Sequence, residues 1–288
     1  MALGIIGGSG IYEIEWLRNP RWETIESPFG TPSDQLLMGE FDGMRLVFLP
    51  RHGRGHRLLP SEINFRANID VLKRAGVTEV ISLSAVGSLR EDLAPGTFVI
   101  VDQFIDRTIA RAKTFFGGGV IAHVSMAHPV CCRVGDAVEA AGREAGAPVV
   151  RGGTYLVIEG PQFSTRAESE LYRQWRCAVI GMTNMPEAKL AREAELCYAT
   201  VAMVTDWDCW HPGHDAVTVN QVMAVMRGNA GVARELIRRA APRLGGRDRP
   251  GPCPHGCDRA LDAAILTPRA SMDQNSLTRL AAVAGRVL

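Results

Sequence analysis

The chain has 288 residues, a formal net charge of +1, 46% hydrophobic and 22% charged residues. That size suggests one large domain or two small ones, of ordinary globular composition. The near-zero charge argues against a nucleic-acid footprint or a polybasic membrane segment, and no apolar run approaches the ~20 residues of a membrane helix.

Residues 3–6 are predicted as a short strand leading into Gly7-Gly8-Ser9-Gly10, with no basic leader of a signal peptide before it. Glycines let the backbone turn sharply and approach a ligand, and Ser9 adds a hydroxyl beside inward N–H groups, so the turn can hold an anion. It is not a dinucleotide fingerprint, because Glu13 stands at the third glycine position, and it lacks the Gly-Lys-Ser/Thr of a Walker loop. On its own a structural turn is the simpler reading. Residues 45–49 form the next strand, followed by the basic, glycine-broken loop Arg51-His52-Gly53-Arg54-Gly55-His56-Arg57. Ser61 is expected to cap a helix with Phe65, Ile69 and Leu72 on one face and Gly76 at its end. A strand over 77–83 then delivers Ser84-Ala85-Val86-Gly87-Ser88. Parallel strands joined this way bring their following loops to one sheet edge, so Ser9, Arg51, His52 and Ser84 are expected to converge as a phosphate cradle.

Further strands are predicted over 98–101, 154–158 and 178–182, and helices over 137–144 and 168–175. Thr183 opens a helix running through 195, with Pro186 in its first turn, and puts one more hydroxyl at a strand-to-helix transition. Residues 198–204 read as a buried strand ending in Thr205-Asp206-Trp207-Asp208-Cys209-Trp210. Carboxylates at the carboxyl end of such a strand lie where ligands bind, and nearby indole rings desolvate them. A carboxyl with a raised pKa can keep its proton near neutrality and serve as a general acid; a simple turn cap is the competing reading. The last long helix is predicted over 217–239, followed by a Gly/Pro-rich linker. Cys253-Pro254-His255-Gly256-Cys257 offers half of a zinc site, but no second pair completes four ligands. A plain tail is therefore expected, with no metal and with a reversible disulfide between Cys253 and Cys257 as the alternative, and the odd count of seven cysteines reads as mostly free thiols of a cytosolic protein.

These segments resemble the methylthioadenosine phosphorylase branch of the purine nucleoside phosphorylase superfamily. The match runs over residues 4–239 through IIGGSG, SPFGTPS, LPRHGRGH, SLSAVGSLRE, VIVDQFIDRT, VIEGPQFSTRAES, GMTNMPEAKLAREAELCYA and VAMVTDWDCW. The resemblance implies an α/β, single-domain phosphorylase fold with a central mixed, partly barrel-like sheet flanked by helices. Residues 1–244 would form the phosphorylase domain and 245–288 a linker and C-terminal tail completing it. It implies phosphate contacts from Ser9, Arg51, His52, Ser84, Ala85 and Thr183, and nucleoside contacts from Met182, Phe163, Ser164, Asp206 and Asp208. Val219 and Val222 would line a 5′-alkylthio pocket, with His123 reaching over from a neighbouring subunit and Leu266 adding from the tail. Inorganic phosphate would be a co-substrate with no cofactor, the partners a nucleoside and phosphate, and the assembly a homotrimer or hexamer. Ser9 and Ser84 stand where many relatives carry Thr, and keep the hydroxyl. Gly181 stands where some carry Asn, which points to a lost contact near the base. Inosine-selective relatives tend to have Asn at the position of Asp206. A carboxylate accepts from the 6-amino group of adenine, so the two aspartates favour adenine over hypoxanthine.

Overall fold

The computed structural model describes residues 1–8, 10–212, 218–244 and 252–288. The chain opens with β1 (Ala2–Gly7), buried at every position, as expected of a strand covered on both faces. Two strands absent from the sequence reading follow, β2 (Arg18–Glu23) and β3 (Leu36–Phe41), then β4 (Met44–Pro50). The first helix is α1 (Phe65–Arg74). Asn64, not Ser61, caps it: the Asn64 side chain accepts from the Ala67 N–H at 3.1 Å, while the Ser61 hydroxyl turns to Glu159. β5 (Val77–Ser88) runs twelve residues, so Ser84 to Ser88 belong to the strand and not to a loop after it.

Then come β6 (Phe98–Ile100), β7 (Gln103–Asp106), α2 (Cys132–Glu144), β8 (Val149–Arg151) and β9 (Thr154–Val157). α3 (Arg166–Gln174) begins with a capping box between Thr165 and Glu168. β10 (Val179–Gly181), α4 (Asn184–Glu193) and β11 (Cys197–Asp206) follow. Inside α4, Met185 is extended at φ −119°, ψ 129°, as a residue before proline tends to be, so the regular helix starts at Pro186. The chain closes with α5 (Val219–Leu244) and α6 (Gln274–Ala284).

The strands form one mixed sheet in the order β2-β3-β4-β1-β5-β10-β9-β7, with β11 branching from β5 and carrying β6, then β8. The sheet is branched and does not close among the described residues. β1 lies between β4 and β5, parallel to both, so α1 crosses over it. One apolar layer joins the sheet to α1, α4 and α6, and a second joins it to α2 and α5. Tail residues enter both: Leu261 and Ala264 the first, Cys253 and Cys257 the second. Gly7 pairs with Pro50, and Ile6 with Ser82. The chain therefore leaves β1 and β4 side by side, one step from Ser84 on β5.

Candidate active site

Arg51 follows β4 directly, with its N–H bonded to the Gly7 carbonyl at 2.9 Å and its side chain 2% exposed. A buried guanidinium needs partners for its donors. Nε and one terminal nitrogen grip Glu187 at 2.8 and 3.1 Å, that nitrogen also donates to Ser82 Oγ at 2.6 Å, and the other donates to the Leu83 carbonyl at 2.8 Å. Burial works against its charge, but Glu187 outweighs this and keeps the guanidinium firmly protonated. One N–H of the guanidinium is left over by this count. His52 holds the Leu58 carbonyl through Nδ1 at 2.9 Å and stacks on His56 at 4.3 Å between centroids. Burial, with Arg51 and His56 nearby, pushes its pKa down to about 4. His52 is thus a neutral ring with its N–H on Nδ1 and Nε2 left as an acceptor.

Ser84 Oγ meets Thr183 Oγ1 at 3.1 Å and the Tyr155 hydroxyl at 2.9 Å. Thr183 is the N-cap of α4 yet makes no side-chain capping bond, so its hydroxyl is available to this cluster. The structure thus brings together Ser84, Ala85 and Thr183 beside the backbone that holds Arg51 and His52. Ser9 lies outside the described residues. Its neighbours Gly8 and Gly10 face α5: a Cβ on Gly8 would meet Met226 at 3.8 Å, and one on Gly10 would meet Ala230 at 3.6 Å.

Asp206 is the last residue of β11 and stands opposite Gly87 on β5. That approach needs glycine, since a Cβ on Gly87 would lie 2.9 Å from Asp206 Oδ1 and 3.3 Å from Asp208 Cβ. Asp206 Oδ2 accepts from Thr205 Oγ1 at 2.7 Å and Oδ1 from the Asp208 N–H at 2.8 Å. Burial pushes the Asp206 carboxyl above its usual range against both bonds. Asp208 is 5% exposed, and its backbone is left-handed at φ 51°. Burial, opposed by the Ser169 hydroxyl and aided by the charge of Asp206, pushes Asp208 up to about 6. Trp210 anchors this turn by donating from Nε1 to the Ser88 carbonyl at 2.7 Å, and Trp207 meets it edge-on at 5.8 Å.

The other expected contacts are more scattered. Met182 is half-buried, with its sulfur where a Cβ on Gly160 would be (2.5 Å). Phe163 is 45% exposed, and the Ser164 carbonyl accepts from the Cys209 thiol at 3.3 Å. Val219 is exposed and Val222 half-buried in the first turn of α5. His123 is exposed, and its N–H bonds the tail carbonyl of Ala264 at 2.9 Å, next to the bridge between Ala122 and Ile265.

Three groups escaped the sequence reading. Glu187 is the hub behind Arg51, accepting also from Ser82 and Tyr198 at 2.6 and 2.8 Å. Arg111 ties Met182, Met185 and Glu159 together through their carbonyls at 2.6, 2.7 and 2.7 Å. Burial works to raise Glu159, but N–H groups of Ile109 and Ala110, the Ser61 hydroxyl and Arg111 hold it at about 2. Tyr155 fills the space beside Gly181, where a Cβ would fall 2.1 Å from its hydroxyl oxygen. The space left by the missing side chain at Gly181 is therefore filled by the phenol from β9, whose hydroxyl bonds Ser84. The available signal was polar residues inside otherwise apolar strands, at Ser82, Tyr155 and Thr200.

A branched mixed sheet gathering hydroxyls, a guanidinium and an acid pair at adjoining strand ends fits the phosphorylase superfamily, whose family model matches residues 2–242. An S-methyl-5′-thioadenosine phosphorylase of Rhodospirillum rubrum is 63% identical over 99% of this chain and 97% of its own length. One of Geobacter sulfurreducens is 55% identical with 98% of each chain covered. Among solved structures, a methylthioadenosine phosphorylase from an Antarctic soil metagenomic library superposes with a TM-score of 0.91 at 49% identity over 98% of both chains. Another from Schistosoma mansoni, in complex with adenine, gives 0.82 at 38% identity over 86% of this chain and 93% of that one. The chain belongs to the S-methyl-5′-thioadenosine phosphorylase family of this superfamily.

Proposed function

We propose that this chain is a pentosyltransferase that cleaves the glycosidic bond of S-methyl-5′-thioadenosine with inorganic phosphate, giving adenine and 5-methylthioribose 1-phosphate. The observation that carries the reading is the pairing of Asp206 on β11 with Gly87 on β5, three residues beyond the Ser84 hydroxyl that bonds Thr183. An acid pair and an anion cluster on adjacent strands fit the two ends of a nucleoside undergoing phosphorolysis.

Adenine is a poor leaving group as an anion. A proton delivered to N7 by Asp206 makes it neutral, and an acid so positioned typically contributes ~10²–10⁴-fold. Asp208 accepts from the 6-amino group, and like-charge proximity helps retain the shared proton. On the opposite face, HPO₄²⁻ rests on the hydroxyls of Ser84 and Thr183, the Ala85 N–H, the remaining Arg51 N–H and the first glycine turn. Neutral His52 accepts a hydrogen bond from the phosphate O–H through Nε2; the proton phosphate gives up as the sugar phosphate forms leaves to solvent, and solvent returns one to Asp206 after adenine departs, so the turnover balances. The dianion stabilises the oxocarbenium-like sugar as the bond to N9 breaks. Met182, Phe163 and Ser164 hold the nucleoside, Val219, Val222 and a neighbouring subunit's His123 enclose the alkylthio group, and no cofactor is needed. Seven free thiols suit a reducing, cytoplasmic compartment.

The test is phosphate-dependent release of the free base in parallel assays, adenine from methylthioadenosine and adenosine and hypoxanthine from inosine. The expected order is methylthioadenosine first and inosine last. Adenosine is the second reading, because one Schistosoma relative is described as an adenosine/methylthioadenosine phosphorylase. Adenine release that persists without phosphate, yielding free sugar, would mean hydrolysis instead.

A further inference from the structure

Far from this site, four cysteines meet. Cys131, Cys197, Cys253 and Cys257 are all buried, and their sulfurs lie within 4.8 Å of one another. Cys131 and Cys253 are 3.5 Å apart despite a separation of 122 residues. Four thiolates around one zinc at about 2.3 Å stand about 3.8 Å from each other, the spacing of a single tetrahedral ion. Sequence reading saw only half of this set, because the second pair comes from the start of α2 and the start of β11.

The surroundings suit an anionic centre. Arg192 donates to Cys257 Sγ at 3.3 Å and to the His255 carbonyl at 3.3 Å. Arg133, paired with Glu79, also acts on the Cys197 sulfur. Cys131 is the N-cap of the 13-residue α2, at the positive end of its dipole, and its N–H bonds the Tyr198 carbonyl at 2.8 Å. Gly256, left-handed at φ 60°, closes the turn between Cys253 and Cys257 with a 2.8 Å bond to the Cys253 carbonyl.

We propose that Cys131, Cys197, Cys253 and Cys257 bind one zinc ion that locks the C-terminal tail to the sheet. Binding releases four thiol protons to solvent and leaves a Zn(Cys)₄ centre of net charge −2, faced by Arg192, Arg133 and the α2 N-terminus. The centre is structural. Cys197 and Asp206 are opposite ends of β11, on the order of 30 Å apart at strand spacing, so zinc takes no part in the chemistry. Its effect on the site runs through the tail, whose Ala264 and Leu266 bond the segment carrying His123.

The experiment is metal analysis of the full-length protein, purified with a reductant and without chelator, followed by Co²⁺ replacement of the removed metal. One zinc per chain and the d–d absorption of tetrahedral Co²⁺–thiolate are expected. Cys253→Ser and Cys257→Ser should lose the zinc and melt at least about 10 °C lower, with kcat at 25 °C within about twofold of wild type. Thiols that neither carry zinc nor take up Co²⁺, iron in place of zinc, or two disulfides seen as a 4 Da mass deficit would each overturn the assignment. The wild-type measurements decide the matter even if the serine variants fail to fold.

Discussion

Asp206 and Asp208 are two residues apart but differ in surroundings. Asp206 is half-buried with both oxygens already accepting bonds, while Asp208 is deeply buried in a left-handed turn. Asp206→Asn keeps the shape and removes the acid, so kcat should fall at least ~10²-fold; near wild-type turnover would take Asp206 out of that role. Asp208 has its pKa raised from 3.8 to about 6, so the folded state holds its proton more tightly than the unfolded chain. The resulting stabilisation is full below 3.8 and is lost as pH rises through about 6. At 1.36 kcal/mol per unit this amounts to roughly 3 kcal/mol. Asp208→Asn, a residue that tolerates left-handed backbone, should therefore melt higher than wild type at pH 7.5 and about equally at pH 4. A lower melting temperature at pH 7.5 would contradict this account. The acid pair was legible in the sequence because a buried strand ends there. Glu187 was not, because nothing local to a helix start announces that its carboxylate supports an arginine 136 positions earlier.

Elements differ in how openly the sequence declares them. β1, β4 and β11 are continuous apolar runs and were found within two residues at each end. β2 was missed because its burial pattern is exposed through four of six residues and leaves no alternation to read. β5 was cut short because Ser84 and Gly87 look like turn residues, yet both lie in strand, one bonded to the Thr183 and Tyr155 hydroxyls and the other making room for the aspartates. The same close fit governs Tyr155 and Gly181 across β9 and β10. Gly181→Ala drives a methyl into the phenol, and overpacking of this kind costs about 1–3 kcal/mol. Tyr155→Phe in that background should recover part of the loss, and by itself should raise the phosphate KM severalfold by freeing Ser84. Additive melting shifts in the double variant would show that the two do not touch. Behind them, Glu187→Gln leaves Arg51 buried without its counter-charge. Removing one partner of a buried pair costs about 3–5 kcal/mol, so calorimetry should show a lower melting temperature together with a raised phosphate KM.

At the scale of the molecule, several apolar side chains remain in solvent: Ile109 is 86% exposed, Leu266 65%, Val219 64% and Ile121 53%. Contiguous apolar exposure marks association surfaces. Ile121 and Leu266 are joined by a 2.9 Å backbone bond, and Val219 opens α5. We expect a homotrimer or hexamer with active sites at subunit boundaries. Sedimentation at micromolar concentration should give that mass, and His123→Ala should raise the methylthioadenosine KM without altering the phosphate KM. A fully active monomer would refute the expectation. The tail was the least legible part, since its value depends on partners far back in the chain. Through Leu261 and Ala264 it joins the same apolar layer as α1 and α4.

β5 has one more consequence. From Ser84 to Gly87 is three residues, or roughly 10 Å of extended chain. In the proposed reading that interval acts as a ruler between the inorganic ion and the nucleobase, and its markings are the backbone pairings with β11 along one flank. Loops can be remodelled to admit a different 5′ group, but the ruler cannot be stretched. Nucleosides with an atom inserted between sugar and base should therefore be rejected however well each half fits its own end.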